Sequence, residues 1–218
     1  MSRLYVSAAI LALSIGLAAC GSDPAGPTEP ADWMPLTVGN WWYSTMEGYW
    51  ITMYGDTVDW SGSFARHVTA LLEHQGGFQV YEFRTIMNLV NTTPDTTWET
   101  WDTLFVYLRE TDDEMQRYAD TVSTDYELIA RFPLTLGDTW YESPGSTVMY
   151  EVTSLDASAS VPAGNFGDCA IIRETETDPV KNYDWDTYLY RGVGIVYEVL
   201  SDGESQYAEI SLENYQVL

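Results

Sequence analysis

The sequence predicts an all-β domain, a strongly curved antiparallel sheet, barrel or sandwich of about ten to twelve strands. Three observations lead there. Apolar and polar residues alternate with period two through most of the chain beyond residue 33, as they do in half-buried strands. Gly, Asn and Asp clusters interrupt the alternation at short intervals, as turns do. Thr, Tyr, Trp and Val, which fit a pleated surface, are abundant. No ten-residue window beyond the N-terminus carries a convincing helical period.

The N-terminus reads differently. "MSRLYVSAAILALSIGLAAC" has Arg3 followed by an apolar run from Tyr5 to Ala19. That run is short of the ~20 residues a membrane span needs and suits the apolar region of an export signal. It ends in Leu17-Ala18-Ala19-Cys20, which resembles the lipobox of bacterial lipoproteins. The resemblance implies that residues 1–19 are a signal peptide and that Cys20 carries the lipid. Two or more acyl chains hold a protein on a membrane stably. Gly21 replaces the Asp that tends to retain such proteins on the inner membrane, so the expected location is the cell envelope, at the outer membrane, facing the periplasm or the surface.

Residues 20–33 continue as "CGSDPAGPTEPADW", with Pro24, Pro27 and Pro30 at every third position. Too little of this is apolar to fold, and it favours extended polyproline II. At ~3.1 Å per residue it is a tether some tens of ångström long. The expected folded domain is 34–218, with a possible sub-boundary near residue 131.

Within it, alternation places apolar residues on one face in each of several segments. These are Phe64, Val68, Ala70 and Leu72; Leu104, Val106 and Leu108; Tyr126, Leu128, Ala130 and Phe132; Val148, Tyr150 and Val152; and Ala208, Ile210 and Leu212.

One ten-residue phrase occurs twice, "PLTVGNWWYS" from Pro35 and "PLTLGDTWYE" from Pro133, 98 residues apart (133 − 35). Pro stands at a strand's beginning or edge because it cannot donate a ladder bond. Gly39-Asn40 and Gly137-Asp138 are turn dipeptides, and Trp-Tyr opens the next strand. Either the chain is two related halves, or one turn-into-strand device is used twice; the rest of the halves does not align, which favours the device. Two further Gly-rich stretches follow. Pro162-Ala163-Gly164 reads as a turn between strands. Gly192 and Gly194, two apart in a predicted strand, leave one face bare for a bulge or a close approach. They are no dinucleotide fingerprint, since the third Gly is missing and no helix follows.

"PLTLGDTW", "VPAGNFGDC" and "YLYRGVGIVYE", in that order, resemble the motifs of a group of uncharacterised bacterial lipoproteins, the TapB-like domain-of-unknown-function family. The resemblance spans about residues 34–218 and implies a curved antiparallel sheet in the cell envelope. It brings no catalytic residues and no cofactor.

Candidate chemistry is sparse. His67 and His74 are seven apart, on opposite faces of a continuous strand. The acidic turn Asp112-Asp113-Glu114 is the best cation candidate, though it lacks the alternating Asp pattern and Gly of a calcium loop. Asp168 beside Cys169 disfavours a thiolate, so Cys169 reads as a small core residue. With Cys20 assigned to lipid, the mature 199 residues (218 − 19) have no second cysteine for a disulfide. Aromatic density is the remaining clue. Trp41, Trp50, Trp98 and Trp101 are candidates for ligand contact, either as a stacking platform for sugars or as the wall of an apolar pocket. Trp98 and Trp101 are three apart and occupy opposite strand faces. The sequence therefore suggests a non-enzymatic binding protein for an apolar ligand, a lipid or an envelope partner. The alternatives are a carbohydrate-binding module and a structural envelope protein.

The chain has 33 Asp and Glu against 9 Lys and Arg, a formal charge of −24. That repels nucleic acid, which requires a basic footprint. A lysine-poor acidic surface also keeps proteins soluble in salt. If that is its role here, thermal unfolding midpoints rise between low and molar salt; a flat response removes the salt-adaptation reading.

Overall fold

The computed structural model describes residues 32–176 and 183–218. The signal-like segment, Cys20 and the tether up to residue 31 lie outside the described residues, while Trp33, expected to end the tether, is buried in the core. Twelve strands follow one another: β1 (Trp41–Ile51), β2 (Thr57–Glu73), β3 (Gln79–Thr92), β4 (Thr97–Glu110), β5 (Glu114–Tyr118), β6 (Glu127–Arg131), β7 (Thr139–Tyr141), β8 (Val148–Val161), β9 (Gly164–Glu176), β10 (Tyr183–Tyr190), β11 (Gly194–Ser201) and β12 (Gln206–Gln216). They form one antiparallel sheet in the order β6-β5-β4-β3-β2-β1-β12-β11-β10-β9-β8-β7. The expected all-β curved sheet is what the chain adopts, as a nearly closed barrel.

The order is two six-stranded meanders, β1–β6 and β7–β12, spliced by pairing of the first strand with the last. Each meander opens with one copy of the repeated phrase. The copies make the same bonds. Gly39 N–H donates to Val68 O (2.9 Å) and Val68 N–H to Asn40 O (2.9 Å); Gly137 N–H donates to Val152 O (2.8 Å) and Val152 N–H to Asp138 O (3.0 Å). The glycines have φ of 102° and 83°, which only Gly adopts readily. Leu36, Leu134, Trp42 and Trp140 are buried. Each Trp indole caps a distant carbonyl, Trp42 Nε1 donating to Val193 O (2.5 Å) and Trp140 Nε1 to Leu128 O (3.1 Å). The device thus joins each meander's first strand to its second and pins both to the core.

The remaining seam lies between the two short edge strands. Leu128 N–H on β6 donates to Glu142 O just after β7 (2.8 Å), and Arg117 on β5 pairs with Glu127 and reaches Glu142 (3.2 Å). Because β5, β6 and β7 have only five, five and three residues, the seam closes over part of the barrel's length. Pairing of β5 with β4 covers Tyr107–Glu110 alone. Among the described residues no strand pairs with the outer edge of β4 from 97 to 106.

One end is filled. Register shifts along β8, between Val152 and Ala159, bend the β8–β9 hairpin. Its tip, the Pro162-Ala163 turn, reaches β12, where Ala163 N–H donates to Leu212 O (2.9 Å). Phe166 packs edge-on to Tyr190 (5.1 Å between centroids) and near Tyr215. Cys169 is fully buried there, and burial pushes its thiol upward, in keeping with a core role.

The apolar side is the inside, and charged side chains such as Glu47, Asp59, Glu209 and Glu213 lie on the outer parity of their strands. A membrane-spanning barrel has the opposite pattern. Strong curvature needs close strand approach at two glycines. A Cβ at Gly62 would stand 1.9 Å from Asn88 O, and one at Gly48 2.1 Å from Tyr207 O, so no other residue fits without a backbone shift.

Two expectations change. The strand predicted through Gly192 and Gly194 is broken: Arg191–Val193 is the β10–β11 turn, and only Gly194 begins a strand. At Gly194 a Cβ would meet Met34 Sδ and Trp42 Nε1 at 3.4 Å, ordinary van der Waals contact, and its φ of 95° is what favours Gly there. In β2 a bulge between Val68 and Ala70 pairs Val68 with Phe83 but Leu72 with Val80. Parity along the uninterrupted β3 then puts Ala70 and Leu72 on the opposite face from Phe64 and Val68.

Asn40 is fully buried; its Nδ2 donates to Pro35 O (2.7 Å) and its Oδ1 accepts from Leu218 N–H (2.9 Å). Its counterpart Asp138 is exposed. Asn40→Asp is therefore expected to cost at least about 1–3 kcal/mol in urea unfolding, and Asp138→Asn close to nothing.

Candidate functional site

Above the filled end the barrel keeps an open interior. Its larger compartment is about 450 Å³ and its smaller about 360 Å³; each falls within the ~300–1,000 Å³ typical of ligand sites. The inward parity of the long strands builds both. β2 contributes Phe64 and Arg66, β3 Phe83, Thr85 and Met87, and β4 Asp102, Leu104, Val106 and Leu108 to the larger one. β9, β10 and β11 face them across the lumen with Ile172, Glu174, Trp185, Thr187, Ile195 and Glu198. Trp33 and Met34, from the segment ahead of the first phrase, also line it, with Arg191 over the Trp33 ring (4.7 Å). The smaller compartment lies between Met46, Trp50, Trp60, Leu89 and Tyr207. Met87, Trp185 and Glu198 line both, so the two adjoin.

The larger compartment meets solvent along β4. Leu104 lines it and is 58% exposed, on the stretch where β4 has no outer strand partner. The short β5–β7 segment is therefore a fold feature with a consequence: it leaves a side mouth.

Polar groups inside are few and mostly paired. Arg66 Nη2 donates to Glu198 Oε2 at 2.6 Å with both side chains buried, and its guanidinium lies over Phe64 (4.3 Å). This pair spans the lumen from β2 to β11. Arg117 is the second luminal cation. Burial works against its charge, but Glu127, Tyr150 and Glu142 outweigh that and raise its pKa. Burial, with the Glu127 charge, raises Glu142 above the ordinary carboxylate range against the pull of Arg117. Tyr183 donates to Glu174 Oε1 (2.7 Å); burial, then Glu174, pushes Tyr150 far up. Both tyrosines are held as neutral phenols. Trp185 Nε1 is buried and has no hydrogen-bond partner among the described residues.

The structure separates the four candidate tryptophans. Trp50 lines the smaller compartment. Trp41 takes the face opposite Trp42, beside His67, whose pKa burial and Arg84 lower. Trp98 and Trp101, 39% and 66% exposed, stand on opposite faces of β4, Trp101 Nε1 donating to Glu99 (3.3 Å). The four share no single platform. Asp112, Asp113 and Glu114 sit at the β4–β5 turn, where Asp113 accepts from Thr111 and Glu114 from Gln116. Among the described residues no three His, Cys, Asp or Glu side chains are placed to hold a metal ion. His74 is buried and stacks on Phe78 (4.3 Å).

Sequence reading missed Arg66, Glu174, Trp185 and Glu198. A signal was present: each shares strand parity with apolar neighbours, Arg66 with Phe64 and Val68, Glu198 with Val196, and Glu174 with Ile172. A charge on an apolar face is either an error or an interior group with a partner.

No family model matches the chain, and neither does any curated protein. Two solved structures are similar over most of its length. One, from Bacteroides fragilis, is described as an exported protein with a YmcC-like fold (13% identity, 85% of this chain and 99% of that one, TM-score 0.43). The other, from Parabacteroides distasonis, is described as a lipoprotein (14% identity, 86% and 100%, TM-score 0.41).

Removing one member of the luminal ion pair strands the other. Arg66→Met is expected to cost about 3–5 kcal/mol in chemical unfolding, whereas Arg66→Met with Glu198→Leu recovers most of it. Equal loss in the single and double variants would show the pair to be uncoupled.

Proposed function

We propose that this chain is a lipid-anchored protein of the bacterial cell envelope whose barrel interior binds an apolar ligand, without catalysing a reaction. The observation that carries the reading is the pair of adjoining, largely apolar compartments, which open beside Leu104 and contain a buried donor at Trp185 without a partner among the described residues. Protein interiors close-pack, so two adjoining compartments of this size are what a ligand site requires and what a purely structural barrel does not. The Leu17–Cys20 motif, the Pro-rich tether and the motif resemblance to uncharacterised bacterial lipoproteins support the anchor, and Gly21 supports the outer membrane. The scattered placement of Trp41, Trp50, Trp98 and Trp101 favours the luminal reading over a sugar-stacking platform.

Filling the lumen tests it. Thr187→Trp is expected to weaken binding of the apolar dye N-phenyl-1-naphthylamine at least about tenfold while leaving the far-ultraviolet dichroism unchanged. Dye bound equally by both proteins would place the site elsewhere. Cys20→Ser is expected to abolish palmitate labelling and release the protein from the membrane fraction.

A further inference from the structure

The charges around the lumen restrict what it can hold. Two cations line it, and both are in ion pairs: Arg66 with Glu198 (2.6 Å), and Arg117 with Glu127 and Glu142. The carboxylates Asp102, Glu174 and Glu198 also line it. A ligand carboxylate or phosphate would meet paired guanidinium groups and unneutralised acids, on a chain of formal charge −24. An anionic head group is therefore disfavoured by desolvation without compensation. A plain hydrocarbon is disfavoured for another reason. It would leave Trp185 Nε1 unsatisfied, and a buried unmet donor is costly.

Position refines the chemistry. Trp185, Glu198 and Met87 stand where the larger and smaller compartments join. In the sheet Trp185 pairs with Glu174 on β9 and Leu200 on β11, so its inward face is shared by one residue of the larger compartment and one of the smaller. Apolar space lies on both sides of this neutral donor. A matching ligand has hydrocarbon on both sides of a single neutral acceptor. An ester meets this description; its carbonyl accepts and carries no charge to desolvate. Glu174 accepts from Tyr183 (2.7 Å) and Asp102 Oδ1 from the Thr103 amide (2.7 Å), while an ammonium head has no acceptor and would leave Trp185 Nε1 unsatisfied.

We propose that the lumen takes a neutral long-chain acyl ester, its hydrocarbon running through both compartments and its carbonyl oxygen accepting a hydrogen bond from Trp185 Nε1 at their junction. This deepens, and rests on, the reading of the lumen as a binding site.

The test uses the mature chain with Cys20→Ser and bound N-phenyl-1-naphthylamine, displaced by methyl oleate, oleate, oleylamine or 1-octadecene delivered from cyclodextrin. Methyl oleate is expected to displace the dye at least about tenfold more tightly than oleate or oleylamine. Trp185→Phe, which removes the N–H and keeps an aromatic ring, is expected to weaken methyl oleate about fivefold and leave 1-octadecene unchanged. In the protein without that substitution, methyl oleate and not octadecene moves the Trp185 indole ¹H–¹⁵N resonance, which decides the point even if Trp185→Phe folds poorly. Oleate or oleylamine binding as tightly as the ester overturns the neutral-ester assignment and leaves a luminal apolar site standing. An unmoved Trp185 resonance with the ester bound overturns the role of that donor. A dye that never binds, or that none of the four displaces, overturns the luminal site itself.

Discussion

Pairing of the first strand with the last is the constraint on which the rest of this structure depends. β1 lies between β2 and β12, matched to β12 from Trp41 with Gln216 to Trp50 with Gln206 and to β2 from Trp41 with His67 to Ile51 with Thr57. Without the β1–β12 ladder the chain is two separate meanders, each with an exposed inner edge. With it, inward side chains of β2–β4 and of β9–β11 line one compartment, and a lumen exists. The ladder joins residues more than 150 apart in sequence, so its loop-closure entropy must be offset by packing across the barrel. The repeated phrase supplies part of that packing at both starts. Trp42 reaches the β10–β11 turn through Val193, and Trp140 reaches β6 through Leu128.

The barrel is unevenly filled, and the unevenness has local causes. The bent β8–β9 hairpin folds Ala159, Phe166 and Cys169 into one end, where they are buried. Toward the other end glycine takes the place of a core side chain. Gly48 and Gly62 remove volume where Tyr207 and Asn88 backbone atoms come within about 2 Å of a would-be Cβ, which tightens curvature and brings Trp50 and Trp60 around a second compartment. The three short strands at the seam then stop the sheet from covering Leu104. A filled floor, a second compartment and a side mouth result from three unrelated sequence devices: a bulged hairpin, two close-approach glycines and truncated edge strands.

Electrostatics divide the molecule in the same way. Acidic side chains lie on the outer faces, and three arginines form ion pairs among the described residues. Arg66 and Arg117 go to the lumen, and Arg173 is bidentate to Asp186 on neighbouring strands (2.7 and 2.8 Å). A buried Arg–Glu pair such as Arg66–Glu198 is poor evidence of added stability, since apolar replacements are often as good. It does fix which strand of one meander faces which strand of the other, a role in register and specificity.

By itself the sequence determined the class and the grain of the fold. Period-two alternation is local, so the apolar faces at Leu104–Leu108, Leu128–Ala130, Tyr150–Val152 and Ile210–Leu212 could be read directly, as could the Gly-Asx turns and the Pro162 hairpin tip. It also carried the lipobox-like Leu17–Cys20 motif. Only the tertiary structure decided the rest, because long-range pairing has no local signature. Nothing in the phrase at Pro35 or Pro133 reveals that each opens a six-stranded meander, or that β1 meets β12. The Val68–Ala70 bulge reversed the parity of Leu72, and a one-residue insertion leaves no trace in an apolar–polar pattern. Which of nine tryptophans would line a cavity was equally hidden, since alternation assigns a face but not the distance to the opposite wall. Trp50, Trp60 and Trp185 line the lumen; Trp98 shares the inward parity of Asp102 and Leu104 but stands at the end of β4 that no outer strand closes over, and Trp101 takes the outer face.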